Sequence, residues 1–343
     1  MKKWFGATAI LSLSMTMLLV GCGGGGQQTQ ETSTQPQPAA QPTQEAEPKQ
    51  EFNDQLIIAT GGTAGTYYPL GGGMATIWQE KIPGLNVTAQ STGGSVENLK
   101  LINKGEVDLA LVQNDIASFA MDGTEVFTEK FDKFKAVASL YPEVIQLVVS
   151  ADSDIQSVTD LKGKRVSVGS AGSGNEVDAR LILNESALTY DDIDEMFLSY
   201  AESADAFKNN QLDAFFVISG VPTPALQDAS ALKKIRLVPI EGAVAEGLKS
   251  KYPFFVDHVI PAGTYNGQDQ EIKTIAVQAQ LIVRDGLDEK LTQEMTKVLF
   301  ENLDQLATIH AKGKEISLDK ALDGLSGNVD PGTAKYYQEK GVK

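Results

Sequence analysis

Short runs rich in Val, Ile, Leu and Phe alternate along this chain with segments whose apolar residues recur at helical spacing. Gln55–Thr60, Leu85–Gln90, Val107–Val112, Val144–Ser150, Arg165–Val168, Met196–Tyr200, Asp213–Ile218 and Thr274–Val283 read as strands. Tyr68–Glu80, Ser95–Lys104, Asn175–Ala187 and Ala201–Asn209 read as helices between them. A long helix is predicted over Asp288–Ala311, opened by Asp285-Gly286 turn chemistry and ended near Gly313. Alternating β and α elements favour α/β layers with substantially parallel sheets.

The pattern contains a weak echo. Ser95-Val-Glu-Asn-Leu-Lys runs through a helix into Val107-Asp108-Leu-Ala-Leu-Val112, and Ser203-Ala-Asp-Ala-Phe-Lys runs likewise into Leu212-Asp213-Ala-Phe-Phe-Val217. Each unit reads as a serine at a helix start, a helix, and a strand opening on aspartate. Any two helix–strand units share much of this, so the echo carries two readings: coincidence, or two halves of similar construction flanking a site.

The first residues read as a targeting segment. Lys2 and Lys3 precede a short apolar stretch, Ala7 to Val20, that ends in Leu18-Leu19-Val20-Gly21-Cys22. A sole cysteine there resembles a bacterial lipoprotein signal, with residues 1–21 cleaved and the Cys22 thiol acylated; a plain secretory signal is the alternative. More than one acyl chain gives stable anchoring where a single chain binds marginally. Residues 23–50 carry only alanines as apolar side chains and cannot offset the entropy of ordering, so residues 22–51 read as a lipidated cysteine and a disordered linker. A flexible tether of that length reaches about 30 Å. The expected location is extracytoplasmic, held by lipid on the outer face of a bacterial plasma membrane or in the periplasm.

Composition narrows the function. Lys and Arg number 29 against 45 Asp and Glu, a formal net charge of −16, which disfavours nucleic acid and anionic lipid headgroups as partners. One cysteine and two histidines allow no disulfide framework and no Cys/His zinc site, so neither metal nor cofactor is expected.

The candidate chemistry sits in loops at strand ends. Thr60-Gly-Gly-Thr63-Ala-Gly65-Thr66-Tyr67, Gln90-Ser-Thr-Gly-Gly-Ser95-Val-Glu-Asn98 and Val168-Gly-Ser170-Ala-Gly-Ser173-Gly174-Asn175 each lead from a strand into a helix. Glycine lets backbone approach a ligand, and helix starts offer N–H groups and a positive dipole end. In open α/β sheets, ligands bind outside the carboxyl ends of strands, where these loops fall. Gln113-Asn114-Asp115 ends the third strand; its amides suit a polar ligand, and Asn114 or Asp115 suits a helix cap equally. Ser219-Gly220-Val221-Pro222-Thr223-Pro224 forms a stiff turn into a helix. The loops match neither a Walker A sequence nor a good G-x-G-x-x-G, and the chain contains no G-x-S-x-G, H-E-x-x-H or EF-hand pattern. His258 and His310 read as structural. Asp191-Asp192 and Asp288-Glu289 read as helix N-terminal or solvated charges, not a glycosidase pair. A binding protein, not an enzyme, is expected.

The runs TGGTAGTYYPLGG, STGGSVENL, VDLALVQND, ASLYPEVIQLVV, LKGKRVSVGSAGSGNE, DAFFVISGVPTPALQD and PAGTYNGQDQEIKTIAV, in that order, resemble the TAXI family of solute receptors, which serve TRAP-type ion-coupled permeases. The resemblance spans about Gln55 to Tyr337. It implies a two-lobe periplasmic-binding-protein-like (type II) α/β fold with crossing strands at Ala138–Ser150 and Lys273–Val283. Lobe I would take 52–142 plus 276–343, and lobe II 143–275. By the same resemblance the ligand is a small carboxylate, glutamate or a related amino or dicarboxylic acid. It would be held by Thr63, Gly65, Thr66, Tyr67, Ser95, Asn98 and Gln113 from one lobe, and by Ser170, Ser173, Gly174 and Val221 from the other, then delivered to a TRAP membrane permease. The alternative partner is an ATP-driven (ABC) importer of a neutral or heterocyclic metabolite. A serine-dependent surface enzyme using Ser95 or Ser173, and an adhesive surface lipoprotein, are further alternatives.

Overall fold

A computed structural model describes residues 52–343. The expected signal, Cys22 and linker lie outside the described residues. Among the described residues, no helix is long and apolar enough to cross a membrane.

In chain order the elements are β1 (Gln55–Ala59), α1 (Tyr67–Lys81), β2 (Asn86–Gln90), α2 (Ser95–Lys104), β3 (Leu109–Gln113), α3 (Asn114–Asp122) and β4 (Phe134–Ser150). Then come β5 (Arg165–Ser167), α4 (Gly174–Glu185), β6 (Asp194–Met196), α5 (Tyr200–Lys208), β7 (Ala214–Ser219), α6 (Pro224–Leu232), β8 (Ile235–Val238), α7 (Gly242–Lys251) and β9 (Val256–Ile260). The chain closes with β10 (Ile272–Arg284), α8 (Glu289–Glu301), α9 (Leu303–Ile309) and α10 (Pro331–Lys340).

The strands lie in the order β2-β1-β3-β10-β4-β7-β5-β6, with β8 paired to β4 and β9 to β10. Parallel β2-β1-β3 and parallel β6-β5-β7 form two flanks. Between them run the long antiparallel strands β4 and β10, which pair with each other and with both flanks. This is a two-lobe α/β fold of the type II binding-protein kind, joined by two crossing strands. Both crossings are almost entirely buried, because each packs on both faces.

Apolar periodicity placed most elements well, and α2 matches its expected span. Glycine shapes one of the lobes: a Cβ on Gly71 of α1 would sit 2.5 Å from the Thr60 methyl, so only glycine lets α1 lie this close to β1. Three expectations are corrected. The predicted helix over Asp288–Ala311 is two helices, because Asn302 ends α8 with its amide turned back onto the Val298 carbonyl at 2.7 Å. The predicted strand Met196–Tyr200 lies earlier, at β6, and Tyr200 opens α5 behind a Ser199 capping box. Ser203 is therefore inside α5, not at its start, and pairs with the Ser167 hydroxyl at 2.7 Å.

The echo does persist at its aspartates. Asp108 Oδ2 accepts from the Ile57 N–H and Asp213 Oδ2 from the Arg165 N–H, both at 2.9 Å, tying β3 to β1 and β7 to β5.

Candidate functional site

The carboxyl ends of β1, β3, β5 and β7 face one another across the crossings, so their loops meet. They enclose a cavity of about 60 Å³ lined by both flanks. Of the residues expected at the site, Gly65, Thr66, Tyr67, Ser95, Gln113, Ser170, Ser173 and Gly174 line it. Thr63, Asn98 and Val221 are not among its lining residues. Asn98 is fully buried and structural: its Nδ2 donates to the Thr60 and Leu111 carbonyls at 2.6 and 2.7 Å. Asn175 makes the same kind of tie on the other flank, donating to the Val168 and Phe216 carbonyls at 2.7 and 3.3 Å. Val221 packs against the core of α5, α6 and β7.

Several of the expected hydroxyls are already committed. Ser173 caps α4, accepting from the Glu176 N–H at 3.0 Å and donating to the Ser170 carbonyl at 2.7 Å. Ser95 is the first residue of α2, and its hydroxyl exchanges hydrogen bonds with the Gln113 side-chain oxygen and N–H at 3.2 and 3.1 Å. Asn114 links the Gly324 carbonyl to the Gln278 N–H.

The two flanks touch each other around the cavity. Thr66 and Ser219 meet hydroxyl to hydroxyl at 2.9 Å, Gln113 Nε2 donates to Asp178 Oδ2 at 2.7 Å, and the Glu97 N–H donates to the Gly172 carbonyl at 3.0 Å. A Cβ on Gly174 would overlap the Gln113 side-chain oxygen, so this contact requires glycine at the start of α4.

Sequence patterning missed Glu143, Tyr200 and the lining role of Asn175. Glu143 sits on the β4 crossing, 3% exposed, where burial pushes its carboxyl up to about 8. The Tyr141 hydroxyl donates to Glu143 Oε1 at 3.1 Å. Tyr67 is buried beside the same carboxyl, and its hydroxyl has no hydrogen-bond partner. Burial raises the Tyr67, Tyr141 and Tyr200 phenols far from ionisation. The lining holds Glu143 and no Lys, Arg or His. With its carboxyl protonated at neutral pH, the site presents hydroxyls, amides and backbone without net charge. Such a surface recognises a small polar solute by hydrogen bonds.

The chain is similar over 84% of its length to 98% of a protein from Bordetella bronchiseptica RB50, at 14% identity and a TM-score of 0.53. It also resembles a putative L-cystine ABC transporter protein from Listeria monocytogenes, at 18% identity over 77% of this chain and 98% of that one, TM-score 0.49. A third likeness is the alkanesulfonate-binding protein SsuA from Xanthomonas axonopodis pv. citri bound to MOPS, at 19% identity over 79% and 84%, TM-score 0.45. A family model described as the NMT1-like family matches residues 58–341.

That match corrects the expectation of a TAXI receptor, and with it the TRAP permease and glutamate. The physical reason is that Gly/Ser/Thr loops supply turns and caps to type II binding folds generally, so they specify the fold and not the permease. By a match across nearly all of its described length, the chain belongs to the NMT1-like family.

Proposed function

We propose that this protein is the extracytoplasmic solute-binding component of an ATP-driven (ABC) importer, and that it closes two lobes on a small neutral polar or heterocyclic metabolite. The observation that carries this reading is the cavity between the flanks, whose lining holds one acid, no cationic side chain and an unpartnered tyrosine hydroxyl. An anionic ligand would meet no counter-charge there, whereas a neutral solute with donors and acceptors matches the lining. In this reading lobe I takes 52–142 plus 276–343 and lobe II 143–275. The ligand contacts are Gly65, Thr66, Tyr67, Ser95, Gln113, Ser170 and Gly174, joined by Glu143 and Tyr200, while the Ser173 hydroxyl lines the site as the cap of α4. Lipid attachment at Cys22 would keep the receptor near its permease.

Binding rather than catalysis is supported by the commitments of Ser95 and Ser173, whose hydroxyls bond an amide and a carbonyl instead of a base. Titration calorimetry against neutral polar metabolites, amino acids and dicarboxylates tests the ligand class. Saturable binding of a neutral compound is expected, and binding confined to dicarboxylates contradicts it.

A further inference from the structure

Behind the cavity, one carboxyl from each flank is buried against the other. Asp115 stands in the first turn of α3 and Asp178 in α4, both fully buried. Asp178 Oδ2 accepts from Gln113 Nε2 at 2.7 Å. Asp178 Oδ1 and both Asp115 oxygens have no hydrogen-bond donor. The two side chains lie within hydrogen-bonding reach of each other. The titratable groups acting on the pair are each other, Glu143 from β4 and the Tyr200 phenol from α5; Gln113 from β3 supplies an amide. Burial is the main cause that raises the Asp115 carboxyl; the Asp178 side chain acts first in the opposite sense, followed by the nearby N–H dipoles at the start of α3.

Two ionised carboxylates could not share this site. Leaving a buried acceptor without a donor is costly, and like charges add to that cost. A single proton resolves the conflict if it sits on Asp178 Oδ1 and is donated to Asp115, which keeps its charge at the helix N-terminus.

We propose that Asp115 and Asp178 form a proton-operated latch between the lobes: closure takes up one proton from solvent, and loss of that proton drives the lobes apart. Separating the flanks returns both carboxyls to water, where each ionises normally. The closed pair binds a proton more tightly than the open pair. The latch is therefore fully engaged below the open-state carboxyl range and weakens by up to tenfold per pH unit above it, until the closed pair itself deprotonates. This inference goes beyond the ligand reading, since it needs two lobes and no particular solute.

The test is small-angle X-ray scattering of the dialysed full chain between about pH 5 and pH 8.5, a window above the ordinary aspartate range. The radius of gyration is expected to rise with pH in the wild type. Asp178→Asn keeps a donor toward Asp115 and should stay compact throughout. Asp115→Asn, which removes the like charge from the other lobe, should also lose the dependence. Circular dichroism shows which variants are folded. A pH-independent wild type, or a folded Asp178→Asn or Asp115→Asn variant with the wild-type pH dependence, overturns the proposal.

Discussion

Thr66 and Ser219 meet hydroxyl to hydroxyl at 2.9 Å, one at the start of α1 and the other at the end of β7, so the two flanks of the sheet are bridged directly within the lining of the cavity. Neither hydroxyl belongs to a helix cap: Thr66 precedes α1 without capping it through its side chain. The bond therefore contributes to the approach of the flanks and not to either flank alone. Replacing Thr66 with Val, which keeps the shape, should weaken solute binding by a few-fold to about tenfold, as expected for one hydrogen bond of about 0.5–1.5 kcal/mol. Calorimetry together with thermal unfolding checks this, and a large fall in Tm with unchanged affinity would reverse the assignment.

Gly174 should be intolerant of any side chain. Its added Cβ would overlap the Gln113 side-chain oxygen across the cavity, so Gly174→Ala should hold the flanks apart at a cost of about 1–3 kcal/mol. Scattering from the variant should show a more open molecule than the wild type under the same conditions. An equally compact and equally tight-binding variant would mean that Gln113 swings away freely.

Ser173 serves α4 more than any solute. Its hydroxyl is used on both sides, accepting from the Glu176 N–H and donating to the Ser170 carbonyl. Ser173→Ala should therefore lower stability by about 1 kcal/mol through the lost cap, with affinity nearly unchanged. Urea unfolding and calorimetry on the same preparation separate the two effects.

Asp213 should make the fold sensitive to acid. The Arg165 guanidinium donates to both of its oxygens, at 3.1 and 2.7 Å, and holds the carboxyl below its ordinary value. A carboxyl with a depressed pKa contributes stability that is present above about pH 4 and lost as pH falls through the folded-state value. Asp213→Asn should be less stable than the wild type at neutral pH, and the gap should close in acid. Urea midpoints at about pH 7 and about pH 3 measure it; a gap that persists at the lower pH would show that the contact acts through packing.

What the sequence made legible was chiefly local. The helix Ser95–Lys104 could be read because its apolar positions recur at the right spacing and Gly105 takes the left-handed conformation that ends it. The strand-end loops could be read because glycine and hydroxyl residues cluster there, and most of the residues they suggested do line the cavity. Glu143 was hidden by its setting, since in LYPEVIQLVV it looks like a stray charge beside an apolar strand. An acid inside a run otherwise fit for burial is the one signal that could have found it. Asn98 and Asn175 show the limit of motif reading: similar placement near a helix start gave one a purely structural role and the other a place in the lining. The break at Asn302 depends on a side chain folding back on its own helix, which apolar periodicity does not record. The type of permease leaves no trace in loops whose composition serves turns and caps.

The most direct measurement is the structure of the protein isolated gently from its own host, with whatever solute it retains. A small uncharged molecule is expected between the flanks, in contact with Thr66, the Tyr67 hydroxyl and Glu143. A dicarboxylate in that cavity, or a solute bound elsewhere with the cavity filled only by water, would contradict it.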